Sequence, residues 1–318
     1  MTSRKVILDC DPGHDDAISI IIAASRRSSL EILGITTVAG NVEVEKNTIN
    51  ALKVKDLLGL DVPVVQGASR PLVKDSEIAT EIHGKSGMDG PVLPEPVSRK
   101  ADGHAVDFII DQVKQSEEKV TLVPTGPLTN IAMALVKAPE IKRNIEEIVL
   151  MGGGTFGNWT PAAEFNIYVD AEAAKVVYES GVPIVMFGLD ATHEVIATDD
   201  VQKQIAKIDN KVADFVSELL VFFGDMYQEH FGMAGGPIHD ACTTMYLLKP
   251  ELFGFKHVHV AIETKGEFTY GATAVDLLGV TGRIPNTRFA HEVDQEAFWN
   301  LFEEILESYG GVESHENT

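Results

Sequence analysis

The chain has 318 residues and a formal net charge of −22 at pH 7, with 48 acidic against 26 basic side chains. That balance disfavours nucleic acid or an anionic membrane as partner, since both demand basic patches, and leaves a small uncharged or cation-assisted substrate. No apolar run reaches the roughly eighteen residues of a membrane span, and Met1 to Lys5 leads straight into a strand, so a cytoplasmic protein is expected.

In chain order, the apolar run Val6–Leu8 predicts a buried strand, and Ala17–Ala23 predicts the helix after it. Between them lies D-C-D-P-G-H-D-D, Asp9 to Asp16, a turn in the place where open parallel sheets put their ligand sites. Four carboxylates in eight residues repel one another unless a cation sits among them. A phosphate-cradling loop would offer glycine N–H groups, and this one has a single glycine. The plainer alternative is that Asp15 and Asp16 complement a helix N-terminus while Asp9 and Asp11 are solvated. Cys10 and Cys242 are too few for a disulfide scaffold and lack zinc spacing; both read as small buried fillers.

Leu30–Val38 is a second strand, a helix carries Ile49 to Leu58, and Val62–Val65 is a third strand. Near-continuous apolar strands alternating with helices imply a parallel sheet covered on both faces. From Gly67 to Arg99 the pattern lapses into a functional loop holding His83. A helix over 104–115 and strands over 120–123, 145–150 and 182–189 follow, with a helix over 170–180. Helices over 199–208 and 212–230 come next, then His239-Asp240 with a helix behind it. An antiparallel hairpin is expected over 258–275, an edge strand over 288–293, a closing helix over 294–309 and a disordered tail over 310–318.

Calcium takes roughly six to eight oxygens, so the acidic loop needs partners such as Asp240 or the carbonyl of Thr125. No His and Cys cluster competes, which favours calcium or magnesium over zinc and points to metal-assisted hydrolysis.

Taken together, D-C-D-P-G-H-D-D, T-T-V-A-G-N ending at Asn41, H-G-K-S-G-M-D-G from His83, V-P-T-G-P-L-T-N ending at Asn130, V-L-M-G-G-G from Val149, A-E-F-N-I-Y-V-D ending at Asp170 and H-D at Asp240 resemble the inosine-uridine nucleoside hydrolases. Gly157 to Glu164 most resembles the bacterial pyrimidine-preferring members. The resemblance implies one nucleoside hydrolase domain over residues 1–309: an open, mostly parallel α/β sheet flanked by helices, with extra C-terminal helices and a small antiparallel portion. It implies a calcium-dependent ribonucleoside hydrolase, uridine and cytidine preferred, acting in nucleoside salvage as a cytoplasmic homotetramer. By position, Asp11, Asp16, Asp240 and the Thr125 carbonyl would hold one Ca2+, with Asp11 also accepting the proton of the attacking water. Asp15, Asn158, Glu164 and Asn166 would hold the ribose, Met151 would pack on the sugar, and Asn41 would flank the metal. His83, His239 and Tyr227 would face the base, with His239 a candidate catalytic donor.

Two other readings use the same residues. A haloacid-dehalogenase-like phosphatase would take Asp9 as nucleophile and Asp11 as acid, but needs phosphate-binding lysines that these loops lack. A non-catalytic nucleoside-binding protein would keep the pocket without turnover.

Overall fold

The computed structural model describes residues 3–310, so all but the first residue of the tail expected over 310–318 lies outside the described residues. In chain order the elements are β1 (Arg4–Cys10), α1 (His14–Ala24), β2 (Leu30–Thr37), α2 (Val44–Leu58), β3 (Val64–Gln66), α3 (Thr80–His83), α4 (Ala105–Gln115) and β4 (Val120–Pro124). Then come α5 (Thr129–Lys137), β5 (Ile145–Met151), α6 (Phe165–Val169), α7 (Ala171–Tyr178), β6 (Ile184–Phe187), α8 (Leu189–Thr192), β7 (Ile196–Thr198) and α9 (Asp199–Ile205). The last third holds α10 (Lys211–Phe231), β8 (Gly235–Pro237), α11 (Ala241–Leu248), β9 (Phe253–Val258), β10 (Val260–Ile262), β11 (Thr273–Val275), β12 (Thr287–Val293) and α12 (Gln295–Glu307).

Eight strands form one sheet in the order β3-β2-β1-β4-β5-β6-β12-β9. All neighbouring pairs are parallel except β12 with β9. Alternation along β1 sends Val6, Leu8 and Cys10 into the core beneath α1, α10, α11 and α12, and Ile7 into the core beneath α4, α5 and α7. Burial on both faces is why the central parts of β1, β4 and β5, such as Val6–Leu8 and Ile148–Met151, are apolar. The chain winds outward from β1 through β2 to β3 and then restarts at β4 on the other side of β1. Strand order reverses between β1 and β4, and the crevice beyond their carboxyl ends is the switch point of the sheet.

Three expectations need correction. The strand expected at an edge, β12, lies inside the sheet between β6 and β9, and the unforeseen β9 forms that edge. The hairpin narrows to β10 and β11, paired from Val260–Val275 to Ile262–Thr273. The loop over 67–99 contains one helical turn, α3, which ends at His83. No helix among the described residues is long and apolar enough to cross a membrane.

Candidate active site

The acidic loop begins where β1 ends. Asp9 still belongs to the strand; its Oδ1 accepts from Thr36 Oγ1 at 2.6 Å and from Asn130 Nδ2 at 2.8 Å, tying β1 to β2 and to the start of α5. Burial pushes its carboxyl up to about 7. Asp9 does not line the cavity described below, and its Oδ1 is committed to Thr36 and Asn130 within the fold.

Asp11 leaves the strand and is completely enclosed. Its Oδ2 accepts the backbone N–H of Asn41 at 2.7 Å, while its Oδ1 is buried without a partner. Gly40 and Gly126 flank it so closely that a Cβ on either would run into the carboxylate. Asp16, in the first turn of α1, accepts from Thr125 Oγ1 at 2.7 Å and from the backbone N–H groups of Asp11 and Gly13. It thereby joins the β1 and β4 loops across the switch point.

Asp240 enters from the start of α11, and oxygens of Asp15, Asp16 and Asp240 all lie within 4.8 Å of one another. Burial, followed by the charges of its acidic neighbours, holds Asp240 well above the ordinary carboxylate range. Burial and the Asp16 charge do the same to Asp11, and Asp15 and Asp16 are likewise raised, burial first. Isolated carboxylates in a dry interior are costly unless a cation or protons neutralise them. A cluster of oxygen donors with an orphaned Asp11 Oδ1 beside it suits a hard divalent cation, and all the donors are of the kind calcium and magnesium prefer.

Above this cluster opens a cavity of about 360 Å³, within the range of small-molecule sites. Every site residue named from sequence lines it except Asp11 and Asp16, which stand behind Asn41 and Thr125. Glu164 caps α6: its carboxylate accepts the backbone N–H groups of Asn166 (3.0 Å), Ile167 (3.2 Å) and Gly153 (2.8 Å). Burial nevertheless raises it to about 7. Gly153, at φ +76°, makes this close approach possible. Asn158 Oδ1 accepts from the backbone N–H of Phe165, leaving its amide NH2 for a ligand. Asn166 Nδ2 donates to the carbonyls of Thr125 (2.7 Å) and Met151 (3.3 Å), so its Oδ1 is the free end. The Thr125 carbonyl therefore already accepts one hydrogen bond and keeps one lone pair for a cation.

At the other end, His239 is held at both nitrogens: Thr192 Oγ1 lies 2.7 Å from Nδ1 and Tyr227 Oη 2.8 Å from Nε2. Burial keeps this imidazole well below its usual range and the Tyr227 phenol well above its own. Tyr227 and Phe223 come from α10 and His83 from α3, so the base end is built by elements remote from the acidic floor. Sequence reasoning assigned no role to Thr192 or to His14. His14 was within view inside the acidic motif, but its partners are distant in the chain and no local signal exposes them.

Residues 6–300 match the family described as inosine-uridine preferring nucleoside hydrolase. The chain belongs to that family. It is 49% identical over 310 residues to a pyrimidine-specific ribonucleoside hydrolase RihA of Shewanella woodyi, covering 96% of this chain and 99% of that one. It is 45% identical over 312 residues to a pyrimidine-specific ribonucleoside hydrolase RihB of Escherichia coli, covering 97% and 99%. Among solved structures, a purine-preferring ribonucleoside hydrolase from Gardnerella vaginalis superposes with a TM-score of 0.89 at 36% identity, covering 96% of this chain and 99% of that one. As a nucleoside hydrolase the chain is an enzyme that cleaves N-glycosidic bonds, and its acidic cluster can hold a metal ion.

Proposed function

We propose that the enzyme hydrolyses pyrimidine ribonucleosides in preference to purine ones, with one calcium ion held by Asp11, Asp16, Asp240 and the Thr125 carbonyl. The observation that carries this is the enclosed cluster of Asp15, Asp16 and Asp240 beneath a nucleoside-sized cavity, with the unpartnered Oδ1 of Asp11, outside that cluster, as a further oxygen donor. When bound, calcium supplies positive charge that offsets the acids and makes nearby water more acidic.

The rest is done by the chain. Asn41 fixes Asp11 through Oδ2, so Oδ1 is the atom that accepts the proton of the attacking water. Asp15, the free amide of Asn158 and the free Oδ1 of Asn166 hold ribose hydroxyls, and Met151 packs beneath the sugar. Glu164, pinned by three backbone N–H groups, places negative charge where the sugar becomes oxocarbenium-like. His239 acts on the departing base through the Tyr227 hydroxyl that it positions.

The pyrimidine preference is supported by the names of the two relatives at 49% and 45% identity, against a purine-preferring one at 36%. Residues 1–309 are proposed to act as one catalytic unit, assembled as a homotetramer in the cytoplasm and serving nucleoside salvage. The deciding assay is ribose release from uridine, cytidine and inosine, with and without EDTA and with calcium restored. Uridine and cytidine are expected to lead by kcat/KM and to fail under chelation; inosine leading, or activity indifferent to EDTA, would remove the corresponding part of the proposal.

A further inference from the structure

His14 stands inside the acidic loop yet contributes nothing to the cation cluster. Its buried ring stacks near-parallel with both Phe222 and Phe223, at centroid separations of 5.1 and 5.2 Å. The ring makes two polar contacts. Nε2 lies 2.7 Å from the carbonyl oxygen of Asp89, and Nδ1 lies 3.2 Å from His83 Nδ1.

A carbonyl oxygen can only accept, so the hydrogen of His14 sits on Nε2. The Asp89 carboxylate is turned toward the backbone N–H groups of Lys85 and Ser86, and among the described residues neither polar contact of the imidazole is to a carboxylate. A buried ring stacked on two phenyl groups, with no carboxylate in its polar contacts, is neutral and carries one hydrogen only. His14 Nδ1 is then a lone pair, and the short contact to His83 requires His83 to donate from its own Nδ1. His83 is itself buried and faces the cavity; its Nε2 has no protein partner among the described residues. The chain Asp89 carbonyl, His14, His83 thus has one consistent direction of hydrogen bonding, set at its far end by the backbone.

We propose that His14 is a positioning residue that locks His83 in the Nδ1–H tautomer, so that His83 offers Nε2 to the nucleoside as a hydrogen-bond acceptor. The matching ligand group is a sugar O–H, which uridine and cytidine share; cytosine has no ring N–H to offer. A lone pair facing the same nitrogen is rejected, which makes the pair a filter for donors. The proposal rests on a ribonucleoside occupying this cavity, whereas the tautomer belongs to the free enzyme and can be read without substrate.

The test begins with ¹⁵N-histidine-labelled enzyme and long-range ¹H–¹⁵N spectra, His83 being assigned by its loss in His83→Gln. The expected wild-type pattern is a protonated Nδ1 and a bare Nε2. His14→Phe keeps the stacking but removes the acceptor, and is expected to move the hydrogen of His83 to Nε2. His14→Gln retains both an acceptor for His83 and a donor for Asp89, and is expected to restore the wild-type tautomer. In turnover, His14→Phe should lower kcat/KM for uridine by about tenfold, mostly through KM, as befits one lost hydrogen bond, with His14→Gln recovering most of it. The loss should shrink for 5′-deoxyuridine, which lacks that hydroxyl, and persist for 3-methyluridine, which keeps it. A protonated Nε2 in the wild type overturns the proposal, as does an equal loss in both His14 variants or an equal loss on both analogues. Failure of the enzyme to use nucleosides at all would leave the tautomer spectra to judge His14 separately from the substrate assignment.

Discussion

Replacing Gly126 by alanine tests the role of Asp11 by displacing its carboxylate without changing its chemistry or the substrate. The backbone at Gly126 is not in the left-handed region, so alanine itself is not strained there. Its Cβ would, however, stand 2.8 Å from Asp11 Cγ and 3.1 Å from Val38 Cγ1. Carbon atoms rest comfortably about 3.5–4.0 Å apart, so the carboxylate must retreat by about 0.7–1.2 Å. Gly40 on the other flank leaves little room, since a Cβ there would already meet the same group. Misplacing a catalytic group by about 1 Å costs on the order of 10²-fold, and losing a general base altogether about 10²–10⁴-fold. Gly126→Ala is therefore expected to lose roughly a hundredfold in kcat for uridine, with an overpacking cost of about 1–3 kcal/mol visible as a lowered Tm. The assay is ribose release by folded, calcium-saturated enzyme, run beside Asp11→Ala and the double variant. In the Asp11→Ala background the extra methyl should cost little further activity, because the group it displaces is gone. Near-normal turnover in folded Gly126→Ala, or a full second loss in the double variant, would refute the assignment of Asp11 as the water's base.

Chelation should make stability depend on pH in a definite sense. Asp9 rises on folding from 3.8 to about 7, so it contributes most below the unfolded value and loses that contribution as pH climbs through 7, roughly 4 kcal/mol in all. Asp11, Asp15, Asp16 and Asp240 shift in the same direction, and a bound cation relieves them; melts from pH 5 to 8 should therefore fall more steeply in EDTA than in calcium, and parallel curves would count against the cation site. 2′-Deoxyuridine should be a very poor substrate, by as much as about 10⁴-fold in kcat/KM, because polar groups built for the missing hydroxyl stay unpaired; a ratio near one would dismiss the ribose clamp. His239→Ala should depress kcat for uridine while sparing p-nitrophenyl riboside, whose leaving group needs no assistance; equal losses on both would place His239 in ribose or metal positioning.

The parts of this molecule that sequence exposes are those decided locally. β1 is read from the apolar run Val6–Leu8 and β5 from Ile148–Met151, and the acidic loop is conspicuous because its charges directly follow the first of these. Glu164 and Asn166 stood out in the loop that follows the glycines at 152–154, though not that Glu164 is an N-cap with both carboxylate oxygens accepting backbone N–H groups. What escaped was set by pairing across the chain. β9 went unseen because Lys256 and His257 are exposed and break the apolar pattern, and the inside position of β12 follows only once β9 pairs with it. α5 was hidden behind the turn-like Pro124 to Asn130, where proline and glycine speak more loudly than the helix that begins at Thr129. His14 is the sharpest case: its neighbours are Phe222, Phe223, His83 and Asp89, and only the folded chain brings them to it.

The two borders of the sheet bear on how the protein behaves when crowded. A bare strand border is a template on which another chain can add itself and start aggregation. At one border β3 is only three residues long, and the backbone N–H of Ala101 donates to the Val64 carbonyl at 2.8 Å, covering part of it. At the other, β9 runs against the direction of its neighbours, carries Lys256 and His257 outward, and faces a register break between Ala290 and Glu292 on β12. Both borders are blunted against strand addition, so the sheet offers no long open edge on which a second strand could extend it.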